Sequence, residues 1–361
     1  MVAQSTAPSA ARLGSTGRAS SRRPRVAVDT TGGDFAPRNI VDGALEAVRY
    51  AEVGVALVGA PESLTDELER HPDAGSLDVS VVAAPEAVAM DEPPTAVLRR
   101  KSAAAVRVAA ELVADGEAVG FFSAGNTGAT VLAAHKALGR LPGVERPALA
   151  TTVPSADGRA VLLDAGANVE CRPSHLLQFG AMGAAYARAR LGVAEPRVGL
   201  LSIGEEAIKG NDLTREAHRL FEASGLRFIG NLEARDLFGG QADVIVCDGF
   251  TGNVALKVGE GLVEVMQSYL REELDRTTAA RIGARLSRKA YQRFRRRVDY
   301  SEVGGAPLLG VAGLCVVGHG RSSVKAVRNA VSLAHRLADE NILGQLRAEL
   351  ESPVSPGGCE D

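Results

Sequence analysis

Two short segments of this chain, SAGNTG (residues 123–128) and DGFTGN (248–253), share a Gly-x-Thr-Gly step. Each ends a run of β-forming residues and opens a helical pattern. Gly125 and Gly128, and Gly249 and Gly252, permit positive φ and close approach of a ligand. The first N–H groups of the following helix have no partner within it and lie at the positive end of its dipole, which suits an anion. Asn126 or Thr127, and Thr251 or Asn253, either cap the helix or touch that anion. A plain strand-to-helix turn with a polar cap explains one such loop equally well. Two of them, with GHGRSS (318–323) as a third, favour an anion-binding crevice. Neither standard nucleotide fingerprint occurs: there is no GxxxxGK[ST] and no complete GxGxxG.

Charged candidates stand beside these loops. Lys209, in GEEAIKGNDLTREA, follows Glu205 and Glu206 and precedes a helix start. It is either a solvated surface lysine or, beside a glycine-lined crevice, a cation for an anionic substrate or a developing oxyanion. His319 sits between glycines at a strand end, where a site role and a structural one compete. His175 reads as a residue near a helix N-terminus. No Ser-His-Asp or Cys-His pairing, HExxH motif or carboxylate metal cluster can be read from spacing, so no metal and no cofactor is expected.

The elements that must position these residues repeat as strand then helix. Strand candidates are 25–29, 53–59, 77–83, 118–124, 147–153, 160–166, 197–204, 226–231, 243–249 and 314–320. Most lack polar alternation, as strands buried on both faces of a largely parallel sheet do. Helical patterns fill 38–50, 95–114, 127–139, 174–191, 210–224 and 253–274, with a last helix from near Ser322 towards Leu350. The order predicts an α/β fold, a largely parallel sheet with helices on both faces. Such a sheet binds ligands outside the carboxyl ends of its strands. Those ends carry DTTGGD, SAGNTG, DAGAN, SIGEE, GNLEARD, DGFTGN and GHGRSS, and all are expected at one edge.

With 45% hydrophobic and 24% charged residues in 361, the chain has the composition of a soluble globular enzyme. Residues 1–24 read as a disordered tail, 25–350 as a single catalytic domain and 351–361 as a flexible end. No stretch approaches the ~20 apolar residues of a membrane span. Cys171, Cys247, Cys315 and Cys359 are scattered without metal spacing, which points to reduced thiols and a cytoplasmic setting. The formal charge of −3 hides an asymmetry. Arg281, Arg285, Arg288, Lys289, Arg293, Arg295, Arg296 and Arg297 fall in one stretch with no acid among them. An acidic body thus carries one basic helical protrusion, 275–300, whose Ile282, Leu286, Ala290, Phe294 and Val298 recur every four residues. It is an exposed charged helix, a docking surface for an acidic protein, or an interfacial helix on anionic lipid. Nucleic acid is disfavoured, because base-reading and aromatic patterns are absent.

VDTTGGDFAP, DEPPTAVLRRKSA, SAGNTGA, GRLPGVERPALATTVP, LLDAGANVECRPSHLLQFGAMG, GEEAIKGNDLT, IGNLEARDLFGGQADVIVCDGFTGNVALKVGEG and VGGAPLLGVAGLCVVGHGRSS follow one another in an order that resembles the phosphate acyltransferase (PlsX) family. The match runs from about Val26 to Leu337, and Thr30-Thr31 stand where the family has Ala-Met. The resemblance implies that inorganic phosphate and long-chain acyl-(acyl carrier protein) give acyl phosphate and free carrier, feeding glycerol-3-phosphate acylation in bacterial phospholipid synthesis. It also implies a homodimer with a fold similar to phosphotransacetylases and isocitrate/isopropylmalate dehydrogenases, plus a protruding helical pair. The basic residues are then expected to meet the acyl carrier protein, with peripheral contact to anionic membrane and to the downstream glycerol-3-phosphate acyltransferase.

Because phosphate is itself the nucleophile, no activated serine or cysteine is required. On that reading Lys209 is the chief electrostatic catalyst, with Asn253 and His319 beside it. Gly32, Gly33, Asp34, Gly125, Asn126, Thr127, Gly128, Asp164, Asn168, Asp248, Gly249, Gly252 and Ser322 are expected to bind phosphate or thioester, with Asp34, Asp164 and Asp248 orienting groups or handling protons. Three rivals remain: a dehydrogenase on a related fold, a phosphotransacetylase acting on short acyl-CoA, and a non-catalytic membrane-associated regulator that binds acyl carriers. The missing dinucleotide fingerprint and carboxylate triad weigh against the first.

Overall fold

The computed structural model describes residues 24–51, 53–298 and 302–351, and the side chains of Arg296 and Val298 lie outside that description. Cys359 and nearly all of both expected tails also lie outside it. In chain order the elements are β1 (Arg25–Asp29), α1 (Arg38–Ala51), β2 (Gly54–Gly59), α2 (Pro61–Glu69), β3 (Val79–Ala83), α3 (Ala96–Arg99), α4 (Ala105–Ala114), β4 (Gly120–Ser123) and α5 (Thr127–Leu138). There follow β5 (Ala148–Ser155), β6 (Gly158–Leu163), α6 (Pro173–Leu191), β7 (Val198–Leu201), α7 (Asp212–Glu222), β8 (Phe228–Leu232), β9 (Val244–Val246) and α8 (Gly249–Asp275). The last are α9 (Thr278–Leu286), α10 (Arg288–Val298), β10 (Ala306–Leu309), β11 (Cys315–Val317), α11 (Val324–Asp339) and α12 (Ile342–Glu351).

The eleven strands among the described residues join one sheet in the order β3-β2-β1-β4-β11-β10-β5-β6-β9-β7-β8. Alternate residues explain the double covering. Val26 and Val28 of β1 pack with α1 and α11, while Ala27 between them faces α4 and α5. The same holds across the sheet. Leu163 of β6 packs with Leu176 and Phe179 of α6, and Leu162 faces Ile245 and the flank of α8. Apolar runs without polar alternation are therefore strands covered on both sides, as expected.

The expectation of a single ligand-bearing edge does not hold. β10 is antiparallel to both β11 and β5, and β5 is antiparallel to β6. Each of the two blocks, β3-β2-β1-β4-β11 and β6-β9-β7-β8, is parallel within itself. The central pairing reverses the second block relative to the first. Loops after β1, β4 and β11 consequently leave one end of the sheet, and loops after β6, β9 and β7 leave the other. β10, which the sequence reading passed over, runs against both its neighbours, so its two reversals cancel and β5 keeps the sense of the first block. The β5–β6 hairpin makes the net reversal, closed by Ala156 and Asp157 with Gly158 at φ +134°.

Helix boundaries differ in places. The final helix is two, broken where Asn341 takes a positive φ of 49°. The 95–114 pattern splits into α3 and α4. The basic stretch is likewise two helices, α9 and α10, parted at Ser287.

Candidate active site

A cavity of about 1290 Å³ runs along α8. Gly249, Asn253, Lys257, Glu260, Glu264 and Gln267 line it. Their spacing of three or four residues sets them on one face of that helix. α8 starts in the second block, and by Glu260 it has advanced about 16 Å at 1.5 Å per residue, reaching the loop after β11. The helix thus bridges the two sets of loops that the sheet separates.

At the first end three loops meet. Asp29, fully buried at the end of β1, accepts from Ser123 Oγ at 2.7 Å and from Thr31 N and Oγ1 at 3.0 and 2.8 Å. It pins the end of β1 to the end of β4, and burial pushes its carboxyl above the usual range against the pull of those donors. Gly32 lies so close to the second loop that a Cβ there would stand 2.4 Å from Gly125 N. Asp34 N donates to Gly320 O at 2.8 Å, which ties the first loop to the third.

Asn126 caps α5, accepting from Ala129 N at 3.1 Å. Its amide donates to the carbonyl oxygens of Ala89, Met90 and Glu92 at 3.1–3.3 Å. The cap takes only one of the first-turn N–H groups, leaving those of Thr127 and Gly128 for a ligand. Gly125, Thr127 and Asp34 line the cavity, whereas Gly32, Gly33, Asn126 and Gly128 shape the wall behind it. Ser323 caps α11 through Ala326 N at 3.2 Å. Ser322 lines the cavity, but its hydroxyl is already turned to His319 O at 2.6 Å.

His319 also lines the cavity. Its Nδ1 accepts the backbone N–H of Arg321 at 3.0 Å, so the neutral ring carries its proton on Nε2. That edge faces Glu260, with Nε2 3.9 Å from Oε2, and the same oxygen accepts from Lys257 Nζ at 2.8 Å. Burial first, then Lys257, hold the imidazole below its ordinary pKa, while Glu260 and Asp34 oppose them.

The second end is built differently. Asp164 is buried and accepts five hydrogen bonds, from Leu149 N, Gly166 N, Ala167 N, Asn168 N and Asn168 Nδ2, at 2.7–3.1 Å. Burial still pushes its pKa up. Asn168 also donates to Pro147 O at 2.7 Å, and its own carbonyl accepts Gly249 N at 2.7 Å. Asp248 caps α8 through Thr251 N and Thr251 Oγ1, both 2.8 Å. Gly252 packs so tightly that a Cβ would fall 1.9 Å from Asp164 O. Asp164, Asn168, Asp248 and Gly252 therefore hold the junction together behind the cavity, and Gly249 and Asn253 are the members of this set that line it.

Lys209 is exposed on the loop after β7 and is not among the cavity-lining residues. His175 is buried at the start of α6, accepting from Arg172 N at 3.1 Å and meeting Glu145 at 3.1 Å, which makes it part of the helix start. Of the basic set, Arg281, Arg285, Arg288, Lys289 and Arg293 are exposed on α9 and α10, and Arg295 and Arg297 reach the cavity rim. Cys171, Cys247 and Cys315 are free, with thiols pushed up by burial, Cys171 to about 12. Among the described residues no group of three His, Cys, Asp or Glu gathers as a metal site would require.

Sequence reasoning missed Lys257, Glu260 and Arg321. The signal for the first two was present, since they lie four and seven residues after Asn253 and so on its face of the helix.

The fold defines a class first: an α/β protein with the fold seen in phosphotransacetylases. It aligns with a phosphotransacetylase from Streptococcus pyogenes at a TM-score of 0.58 and 16% identity, over 88% of this chain and 95% of that one. At that identity the likeness speaks for the fold alone. Sequence carries the second step. A family model described as "Fatty acid synthesis protein" matches residues 24–345. The phosphate acyltransferase of Pelotomaculum thermopropionicum is 48% identical over 328 residues, 91% of this chain and 95% of its own length. That of Nitratidesulfovibrio vulgaris is 51% identical over 310 residues, 86% and 90% of the two. The chain belongs to the phosphate acyltransferase (PlsX) family, and it is an acyltransferase of fatty acid and lipid synthesis.

Proposed function

We propose that the chain transfers a long fatty acyl group from acyl carrier protein to inorganic phosphate, releasing acyl phosphate for phospholipid synthesis. One observation carries this reading: a single cavity joins an anion-suited end to a long apolar wall. Its α5 and α11 ends present helix N-termini capped by neutral residues, Asn126 and Ser323. Leu256 and Val263 of α8, Leu149 and Val153 of β5, and Phe238 supply apolar surface along its length. Its volume exceeds the ~300–1,000 Å³ of pockets for drug-sized ligands, which suits an acyl chain with a carrier arm better than acetyl.

The working form on this reading is a homodimer. Phe250, Val254, Val258, Leu262, Met266 and Tyr269 make an apolar stripe along α8, each 46–65% exposed. A second copy covering that stripe removes it from water. Ile203 and Ile208, in the loop that carries Lys209, are about 80% exposed, and the same covering reaches them. Lys209 then serves as the electrostatic catalyst in the assembled dimer, together with Asn253 and His319. Carrier protein docks on the basic α9–α10 pair, which also rests on anionic lipid near the downstream glycerol-3-phosphate acyltransferase. The setting is cytoplasmic with peripheral membrane contact. No described helix is long and apolar enough to cross a membrane.

The test is incubation of the purified protein with palmitoyl carrier protein and phosphate, with hydroxylamine to trap acyl phosphate. Palmitoyl hydroxamate is expected from the carrier thioester and far less from acetyl-CoA. A preference for the short CoA ester would replace this reading with that of a phosphotransacetylase.

A further inference from the structure

The end of the cavity near His319 holds a group of charges, of which Lys257, Glu260 and Arg321 have no part in the reaction scheme above. Lys257 and Glu260 come from α8, Arg321 from the loop that carries His319, and Asp34 from the loop after β1; all four line the cavity with His319. Two donors converge there on a single acceptor. Lys257 Nζ and the protonated Nε2 of His319 both face Glu260 Oε2, at 2.8 and 3.9 Å. The second distance is too long for a hydrogen bond, so Glu260 orients the ring by charge.

We propose that Lys257 and His319 form the oxyanion-binding pair of the acyl transfer, with Glu260 as the residue that positions both. The proposal rests on the reading that phosphate attacks a thioester. A phosphate oxygen of HPO₄²⁻ bonds to the thioester carbon, and the carbonyl π electrons move onto oxygen. The oxyanion collapses, the C–S bond breaks, and the proton of the phosphate passes to the departing thiolate. Atoms and charge balance without any further reactant.

Charge decides which substrate oxygen meets the pair. Among the charges that act on His319, Lys257 and Arg321 are offset by Glu260 and Asp34, so these four sum to no net charge around the neutral ring. A dianion gains little there and is repelled by Glu260. A neutral carbonyl oxygen is admitted, and the donors act when negative charge develops on it in the transition state. An ammonium has three N–H groups, so Lys257 can keep Glu260 and still donate to that oxygen. The lock on His319 matters too. A proton on Nδ1 would break the bond from Arg321 N, so the ring serves as a neutral Nε2–H donor. The phosphate itself is left to the neutral-capped starts of α5 and α11.

Steady-state kinetics of the full-length enzyme with palmitoyl carrier protein and phosphate test this. Lys257→Met is expected to lower kcat by about 10²-fold, the usual effect of removing one oxyanion donor, with the KM for phosphate within about threefold. Lys257→Arg should recover part of the loss. Glu260→Gln should lower kcat by roughly tenfold, less than loss of the donor itself, and should move the acid limb of the kcat–pH profile. The sign follows from the groups facing the ring. Glu260 raises the affinity of His319 for a proton, activity requires the neutral ring, and removing the carboxylate therefore shifts the acid limb to lower pH. An unchanged kcat in Lys257→Met overturns the proposal. So does a large rise in the KM for phosphate at constant kcat, which would make Lys257 a phosphate ligand. A stationary acid limb in Glu260→Gln removes the positioning role. If the wild type makes no acyl phosphate from these substrates, the functional reading itself is what has failed.

Discussion

Asn126 and Asp248 cap the helices that open in the two loops sharing a Gly-x-Thr-Gly step, Asn126 one residue after the first glycine of its step and Asp248 one residue before it. Each follows a strand and accepts the N–H group three residues on, at 3.1 and 2.8 Å. One is neutral and the other is a carboxylate. At α5 the positive helix end is left for an incoming anion, while its cap uses a side-chain amide to hold the 89–92 segment in place. At α8 the negative charge is built in, and Asn168 O takes the first N–H of the turn. The shared glycine pattern therefore does not report a shared backbone turn, because relative to it the second helix starts two residues earlier, and on the proposed function it is the neutral cap that suits the first turn to phosphate. The first loop reads as a binding loop, the second as a joint.

The sharpest test of the joint is Gly252→Ala. A methyl group 1.9 Å from a backbone oxygen cannot be relieved by a rotamer change, and a loss of about 3 kcal/mol or more is expected, at the upper end of overpacking costs. Chemical denaturation would show it. Wild-type stability in that variant would end the view of this loop as structural. Next in size is Lys209→Ala, because Lys209 comes from the second block and yet is assigned a charge-stabilising role. The fold should survive, since the side chain is exposed, and acyl-phosphate formation should fall by about 10²-fold. Near wild-type turnover would confine catalysis to groups already lining the cavity.

Much of the fold was legible in the chain. Unbroken apolar runs such as GVALVG at 54–59 marked strands covered on both faces, and the helices between them followed from periodicity. What escaped was the antiparallel centre of the sheet, β10 and the β5–β6 hairpin. β10 has only four residues, APLL, and a proline within it masks the β pattern. The hairpin was readable. Asp157-Gly158 separates two strands by too few residues for a parallel crossover, which needs a dozen or more. Missing it placed seven loops at one edge, when the chain sends them to two. The site was partly legible for the same reason. Asn253 and His319 were found by loop chemistry, whereas Lys257 and Glu260 sit inside a helix, where polar residues read as ordinary surface until the fold turns that face inward.

The cap comparison can be broken directly at the first loop. Asn126→Ser and Asn126→Asp both give up the amide contacts to residues 89, 90 and 92, so the difference between them isolates charge. A carboxylate at about 4 Å from bound phosphate opposes it by a few kcal/mol for each unit of charge at an effective dielectric near 20. Allowing for solvent, the KM for phosphate should be about ten- to a hundredfold higher in Asn126→Asp than in Asn126→Ser. Equal values would mean that phosphate binds away from α5.

The smallest effect is expected from the converse change, Asp248→Asn. An asparagine keeps an oxygen for Thr251 N, and its amide can donate to Thr251 Oγ1 once that hydroxyl rotates to accept. Only the charge at the start of α8 is lost, worth about 0.3–1 kcal/mol at a helix N-terminus, so denaturation should register a shift of that order and no more. The KM for phosphate should stay within about twofold, because Gly249 N remains bound to Asn168 O and the joint gains no free donor. If instead that KM falls several-fold, on the order of a kcal/mol of binding, the built-in carboxylate has been repelling phosphate from α8. Both loops would then contribute to one anion site, and the division between a binding loop and a joint would have to be given up.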